Sequence, residues 1–148
     1  MLYSIMLHIR LICVGTLKEA YFRAGVAEYE KRLGKYCKIE IVEVRESDPK
    51  TETAEIARKI TRGHVALFDV EGDLVHSVDL AHKIETLAQT TSTINFVIGG
   101  SNGVAPDFTP DERLSFGRIT FPHQLFRVVA LEQIYRAFTI INNEKYNK

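Results

Sequence analysis

The sequence has no tryptophan, only two cysteines in 148 residues, and no net charge, with 19 basic and 19 acidic side chains. Two cysteines cannot build a disulfide framework, and Cys13 and Cys37 lie in apolar runs without the spacing of a metal site. We therefore predict that both are reduced core residues. The zero net charge excludes a global field that would attract nucleic acid or a membrane, so any polyanionic partner must be bound locally.

Long apolar runs are also missing. No stretch approaches the roughly 20 apolar residues of a membrane-spanning helix. The apolar opening MLYSIMLHIRLICVG is interrupted by His8 and Arg10 and has no basic segment ahead of it. We interpret it as a first strand rather than a signal peptide, which predicts a cytosolic protein. Met6 is an alternative natural start, in which case residues 1–5 are an extension.

Segments with strand and helix patterns alternate along the chain. Strands are predicted at LHIRLICV, CKIEIVEV, HVALFDV, INFVIGG and RITF, and helices at KEAYFRAGVAEYEKRL, TETAEIARKI, VDLAHKIETLAQ and HQLFRVVALEQIYRAFTII. Gly34 ends the first helix, the turn EGD ends the third strand, and Ser77 caps the third helix. No repeat or linker divides the sequence. We predict one α/β domain over residues 1–148, with a mostly parallel sheet and helices on both faces.

The last predicted helix is apolar on more than one face. A single core contact would leave part of that apolar surface in water, which predicts that a second copy of the chain covers it. The same end of the chain is basic, because residues 113–148 carry six basic and two acidic side chains.

Three glycines in the segment IGGSNGV, residues 98–104, follow the predicted strand INFVI. A glycine turn at the carboxyl end of a strand lies where open α/β sheets bind ligands, although glycine is also the default residue of an ordinary turn. The Walker pattern is excluded because Val104 follows Gly103. The dinucleotide fingerprint is excluded because the glycines are spaced GGxxG, lie late in the chain and have no acid near residue 120.

The segments FVIGGSNG and LSFGRITFPHQLFRVVALEQIYRAF, with a terminal YNK, are similar in order and spacing to the RlmH family of SPOUT-class methyltransferases. The resemblance runs from Met6 to Lys148 and includes VGTLKEAYFRAGVAEYEKRL. It implies a SPOUT-type domain with a carboxyl-terminal deep trefoil knot, which acts as a homodimer. The interval from Val44 to Gly63 is shorter than in the family, and we interpret this as trimming away from the site.

The resemblance also implies a cofactor, S-adenosylmethionine, bound in the knot. The cofactor-binding positions that it implies are Phe68, Gly100, Gly117, Arg118, Ile119, Thr120, Phe121 and Pro122. Glycine turns expose bare backbone N–H and C=O groups that can meet the edge of an adenine, and apolar side chains can cover its faces.

The activity implied by the resemblance is methylation of N3 of pseudouridine 1915 in helix 69 of 23S rRNA, on the assembled ribosome. The N3 proton must leave during transfer, so the protein has to orient the base and assist that departure. No metal is required, and the five histidines show no metal-binding spacing. The catalytic candidates are His123, Glu132, Arg136, Tyr146, Asn147 and Lys148. An alternative role for Glu132 and Arg136 is a structural ion pair with each other. Arg127 would make either a phosphate contact or a structural contact.

The tail differs from the family pattern, in which a histidine stands at the position of Asn147. A histidine can accept a proton near neutral pH and an asparagine amide cannot, but the amide can still hydrogen-bond a base. One alternative is therefore a catalytically impaired relative that binds the cofactor and the ribosome. Another is an unrelated nucleotide-binding α/β protein.

Overall fold

A computed structural model describes residues 6–148, which form five strands and four helices. The strands are β1 (His8–Val14), β2 (Lys38–Val44), β3 (His64–Leu74), β4 (Thr93–Ile98) and β5 (Glu112–Ser115). The helices are α1 (Ala20–Leu33), α2 (Pro49–Lys59), α3 (Ser77–Leu87) and α4 (His123–Ile141). The predicted extension at residues 1–5 lies outside the described residues. Across residues 6–148, every helix is too short or too polar to span a lipid bilayer.

The five strands form one parallel sheet in the order β2-β1-β4-β3-β5. All carboxyl ends therefore meet at one edge, which is the edge that binds ligands in open α/β sheets. The mostly parallel sheet predicted from the alternation of elements is confirmed.

Each face of the sheet carries its own apolar core, because successive side chains of a strand point to opposite faces. In β1, Ile9, Leu11 and Cys13 pack with α1, α3 and α4, whereas Ile12 and Val14 pack on the opposite face with Ile56 of α2. Helices on both faces are thus confirmed. Cys13 and Cys37 are free and buried, and burial raises the pKa of each thiol to about 12, so both remain protonated core residues.

A buried arginine joins α4 to the carboxyl ends of β1 and β2. Arg127 is 1% exposed and pairs with Glu43 at 2.5 Å. Its second terminal nitrogen donates to the backbone oxygens of Val14 at 3.2 Å and Gly15 at 3.1 Å. These contacts identify Arg127 as a structural residue, and the alternative of a phosphate contact is wrong because the guanidinium is enclosed.

Three local predictions are wrong. The segment EGD is not a turn, because β3 continues through it to Leu74 and pairs with β5 after a register shift. RITF is not a strand; the fifth strand lies earlier, at Glu112–Ser115. His76 rather than Ser77 precedes α3, and its backbone N–H donates to Asp79, while the Ser77 hydroxyl donates to Gln133 at 2.7 Å.

Helix α4 is covered on two sides within the chain. It lies between α1 and α3 on the sheet, and its apolar side chains are buried or half-buried. The half-buried ones are Leu125, Phe126, Val128, Val129, Ile140 and Ile141. The expectation that a second copy covers the remaining apolar surface stays a prediction. The large apolar side chains that do remain exposed within residues 6–148 lie elsewhere, among them Tyr21, Leu74, Val78, Ile119 and Phe121.

Candidate active site

The candidate active site is a cleft of about 1030 Å³ at the carboxyl edge of the sheet. It lies between the ends of β3 and β4, the glycine loop at residues 99–104, and the segment that leads into α4. The cleft has an apolar wall of packed aromatic rings, of which Phe68, Phe116 and Phe126 line it. The ring of Phe68 packs on Phe96 at 5.4 Å, on Phe116 at 5.0 Å and on Phe126 at 5.3 Å between centroids.

The glycine loop is a tight turn with an exposed backbone. The N–H of Gly103 donates to the oxygen of Gly100 at 2.9 Å, and Gly103 has φ of +75°, a conformation that side-chain-bearing residues rarely adopt. No atom lies within 4 Å of the Cβ that any other residue would place at Gly103. The loop therefore presents bare main chain toward open space.

Helix α2 supports this loop through contacts from Glu52 and Thr53. The N–H of Ala105 donates to the hydroxyl of Thr53 at 2.8 Å. The buried carboxylate of Glu52 accepts from the N–H of Ser47 at 2.8 Å, and its other oxygen would lie 2.5 Å from a Cβ placed at Gly100. The interpretation that the short interval from Val44 to Gly63 lies away from the site is therefore wrong. The interval contains α2, the helix that supports the glycine loop.

In the segment from Gly117 to Pro122, some residues line the cleft and others hold the segment in place. Four of its residues line the cleft: Ile119, Thr120, Phe121 and Pro122. Gly117 and Arg118 do not. Gly117 has φ of +135° and donates to the hydroxyl of Ser115 at 3.1 Å, and Arg118 donates to the backbone oxygens of Val70 and, at 3.0 Å, Gly72. Arg118 thus ties the segment to the extension of β3 that the sequence pattern missed.

His123 begins α4 at the wall of the cleft. Its Nδ1 lies 3.3 Å from the hydroxyl of Ser101 in the glycine loop. Its Nε2 is buried and has no hydrogen-bond partner within residues 6–148. A buried polar atom without a partner is costly, and this one belongs to a residue that lines the cleft.

The remaining catalytic candidates form a second cluster at the far end of α4. Arg136 donates to Glu132 at 2.6 Å and to the side-chain oxygen of Asn147 at 3.1 Å. The hydroxyl of Tyr146 donates to the same oxygen of Glu132 at 2.9 Å. The predicted ion pair is therefore present, and it also holds the tail. Lys148 is exposed at the end of the chain.

The chain reverses after α4 to bring the tail into this cluster. Asn143 has φ of +55°, and the N–H of Glu144 donates back to Thr139 at 2.8 Å. The ring of Tyr146 then packs edge-on against Tyr135 at 4.9 Å. Burial, with hydrogen bonds to Tyr29 and Glu132, raises the pKa of the Tyr146 hydroxyl well above its usual range, so this hydroxyl remains a donor.

The cleft and the tail cluster are not brought together within one chain. His123 lines the cleft, whereas Arg136 lies thirteen helical residues further on, which is about 20 Å along the axis of α4. No residue of the tail cluster lines the cleft of the same chain.

Sequence patterns missed several residues of the cleft. Lys18, from the connection between β1 and α1, and Tyr21 and Phe22, from the first turn of α1, line it. So do Asp69 and Arg113, whose side chains pair at 3.1 Å. The sequence could have indicated Asp69 as a residue of the site, because it follows the apolar run of β3 toward the carboxyl edge of the sheet. In the part of the chain that the structure describes, His, Cys, Asp and Glu side chains form no group of three that could hold a metal ion.

The cleft fits an adenosyl compound in size and chemistry. Its volume is at the upper end of the roughly 300–1,000 Å³ of small-molecule sites, and its mix of stacked rings with bare main chain suits a flat heterocycle. Ser101 and His123, whose side chains lie 3.3 Å apart, add polar groups to its wall.

Comparison with known proteins gives concordant matches. A family model described as "Predicted SPOUT methyltransferase" matches residues 7–147. The chain is similar to the protein named ribosomal RNA large subunit methyltransferase H from Limosilactobacillus reuteri, with 46% identity over 159 residues that cover 96% of this chain and 100% of the relative. The proteins of that name from Caldicellulosiruptor saccharolyticus and Fusobacterium nucleatum are 42% and 38% identical, and the matches cover 95% and 96% of this chain and 99% and 100% of the relatives.

Proposed function

The chain belongs to the SPOUT methyltransferase family, and we propose that it methylates ribosomal RNA. The observation that carries this proposal is the near full-length identity of 46% to a relative named ribosomal RNA large subunit methyltransferase H. The finer proposal is transfer of a methyl group to N3 of a pseudouridine in helix 69 of 23S rRNA. A neutral protein has too little basic surface to bind bare RNA tightly, which favours the assembled ribosome, and hence the cytosol, as the place of action.

S-adenosylmethionine is the proposed cofactor, and it supplies a reactive methyl group on a sulfonium. The glycine loop would meet the adenosyl group with backbone N–H and C=O groups, and Phe68 and Phe121 would contribute apolar surface. Ile119, Thr120 and Pro122 would close the side of the cleft that leads into α4. Gly117 and Arg118 would act by holding that segment in place, since their contacts are with Ser115 and β3.

The tail cluster would orient the target base. Arg136 occupies the side-chain oxygen of Asn147, so the amide N–H groups of Asn147 are the ones available to the base. Glu132 accepts from Arg136 and Tyr146 and is a positioning residue in this scheme. Because an amide does not accept a proton near neutral pH, the N3 proton must pass to water or to another group.

The separation of the two clusters supports a homodimer as part of the proposal. If one chain cannot join its own tail to its own cleft, a second copy can supply the tail, as a symmetric pair allows. The composite site, a single domain over residues 1–148 and the deep trefoil knot implied by the family resemblance all remain proposals.

Binding and transfer test this function separately. We expect titration calorimetry to detect binding of S-adenosylmethionine, and labelled cofactor to transfer its methyl group to ribosomes that lack the modification. Incorporation should map to one pseudouridine of helix 69. Absence of cofactor binding would contradict the proposal altogether. Incorporation by Asn147→His, with none by the natural sequence, would instead favour the impaired relative that binds without catalysis.

A further inference from the structure

The mouth of the cleft has a rim to which neither the family resemblance nor the comparisons assign a role. This rim consists of Lys18, Glu19, Tyr21 and Phe22, which line the cleft beside the start of α4. It follows the carboxyl end of β1 and therefore lies at the ligand-binding edge of the sheet. The volume of the cleft, about 1030 Å³, leaves room for a second group beside one small molecule.

The rim is held in place by the rest of the chain. The N–H of Lys18 donates to the side-chain oxygen of Gln124 in α4 at 3.0 Å. One guanidinium nitrogen of Arg23 donates to the backbone oxygens of Leu17 and Lys18, both at 3.1 Å. These contacts fix the backbone of the rim relative to the start of α4.

Tyr21 is an aromatic residue of the cleft that remains largely exposed. It is 68% exposed, although a tyrosine ring is largely apolar. It contacts the ring of Phe22 edge to face at 4.7 Å with 66° between the planes, which leaves ring surface at the mouth of the cleft. The rim itself carries one basic residue, Lys18, and one acidic residue, Glu19, and Arg23 directly after the rim adds a second basic side chain.

We propose that the rim binds the target nucleotide, with the Tyr21 ring stacked on the base and the Lys18 ammonium at its phosphate. This inference rests on the proposed function. Aromatic rings beside basic groups are the usual means of holding an unstacked nucleotide, because every base has a π face and every nucleotide a phosphate. Tyr21 is a positioning residue in this role, since it holds the base and takes no part in bond making.

The test compares variants in the labelled-methyl assay on ribosomes. Tyr21→Ala should lower kcat/KM for ribosomes roughly 10- to 100-fold, mainly through KM, which is the loss expected when one stacking ring is removed. Tyr21→Phe keeps the ring and should retain activity close to that of the natural sequence. Lys18→Ala should raise KM and flatten its dependence on salt, whereas Lys50→Ala, an exposed lysine of α2 outside the cleft, should change neither.

Two further readouts separate positioning from damage to the fold. Affinity for S-adenosylmethionine by calorimetry and Tm should be unchanged in Tyr21→Ala. Unchanged kcat/KM in Tyr21→Ala would overturn the inference while leaving the proposed function intact. If Tyr21→Ala instead dissociated a dimer into monomers, Tyr21 would be an interface residue and the inference would also be overturned. Absence of methyl transfer by the natural sequence would instead remove the proposed function, and this inference would fall with it.

Discussion

Arg127→Ala should lower the free energy of unfolding by about 3 kcal/mol, the lower end of the range for breaking a buried ion pair. The lower end applies because the Glu43 side chain is 38% exposed and can be rehydrated once its partner is gone. The backbone oxygens of Val14 and Gly15 lose their donors at the same time, and α4 loses its link to the carboxyl ends of β1 and β2. Urea unfolding followed by circular dichroism measures the change.

The matched control is Arg58→Ala. Arg58 pairs with Glu55 at 2.8 Å, but its side chain is 74% exposed, and exposed pairs contribute about 0–1 kcal/mol. If the two variants were destabilised equally, the structural role assigned to Arg127 would be wrong.

Deleting Tyr146, Asn147 and Lys148 should reduce methyl transfer to ribosomes by at least about 100-fold while leaving cofactor affinity unchanged. The rate falls because the groups that orient the target base are removed, and a misplacement of about 1 Å at the reacting atoms can cost about 100-fold. The cofactor affinity is preserved because the proposed cofactor contacts, from the glycine loop and from Ile119 to Pro122, lie in the cleft and are all retained in the truncated chain.

Single-turnover transfer and calorimetry give the two quantities. Tyr146→Phe removes only the hydroxyl that donates to Glu132 and should cost less than the deletion. Full activity of the truncated chain would exclude the tail from the site.

The spacing of apolar residues was sufficient to predict the strands that are buried along their length and the long last helix. The buried runs of β1 and β4 and the length of α4, His123–Ile141, were predicted from pattern alone. The end of β3 was missed because Gly72 resembles a turn residue. In the structure Gly72 allows close approach of two strands, since a Cβ there would lie 2.7 Å from the backbone carbon of Arg113.

The segment RITF shows the opposite error. Its apolar residues fit a strand pattern, but Ile119 is 73% exposed and lines the cleft, so its side chain is not part of a core. A sequence pattern cannot separate these two uses of an apolar residue.

The residues of the candidate site were predicted from the family resemblance, and contacts between residues far apart in sequence bring them together. Spacing along α4 paired Glu132 with Arg136, but Asn147 joins them only because the chain reverses at Asn143. The support of the glycine loop by Thr53 spans 52 positions of sequence, a distance over which local patterns carry no information.

The most direct test of a site shared between two chains is to mix two inactive variants. Thr120→Arg places a cation and a long side chain in the cleft, where it should abolish binding of the positively charged cofactor, and the truncation removes the tail. After subunit exchange, mixed dimers contain one complete site, so activity should recover to about one quarter of that of the natural sequence. No recovery, with mixed dimers verified by mass spectrometry, would contradict the shared site.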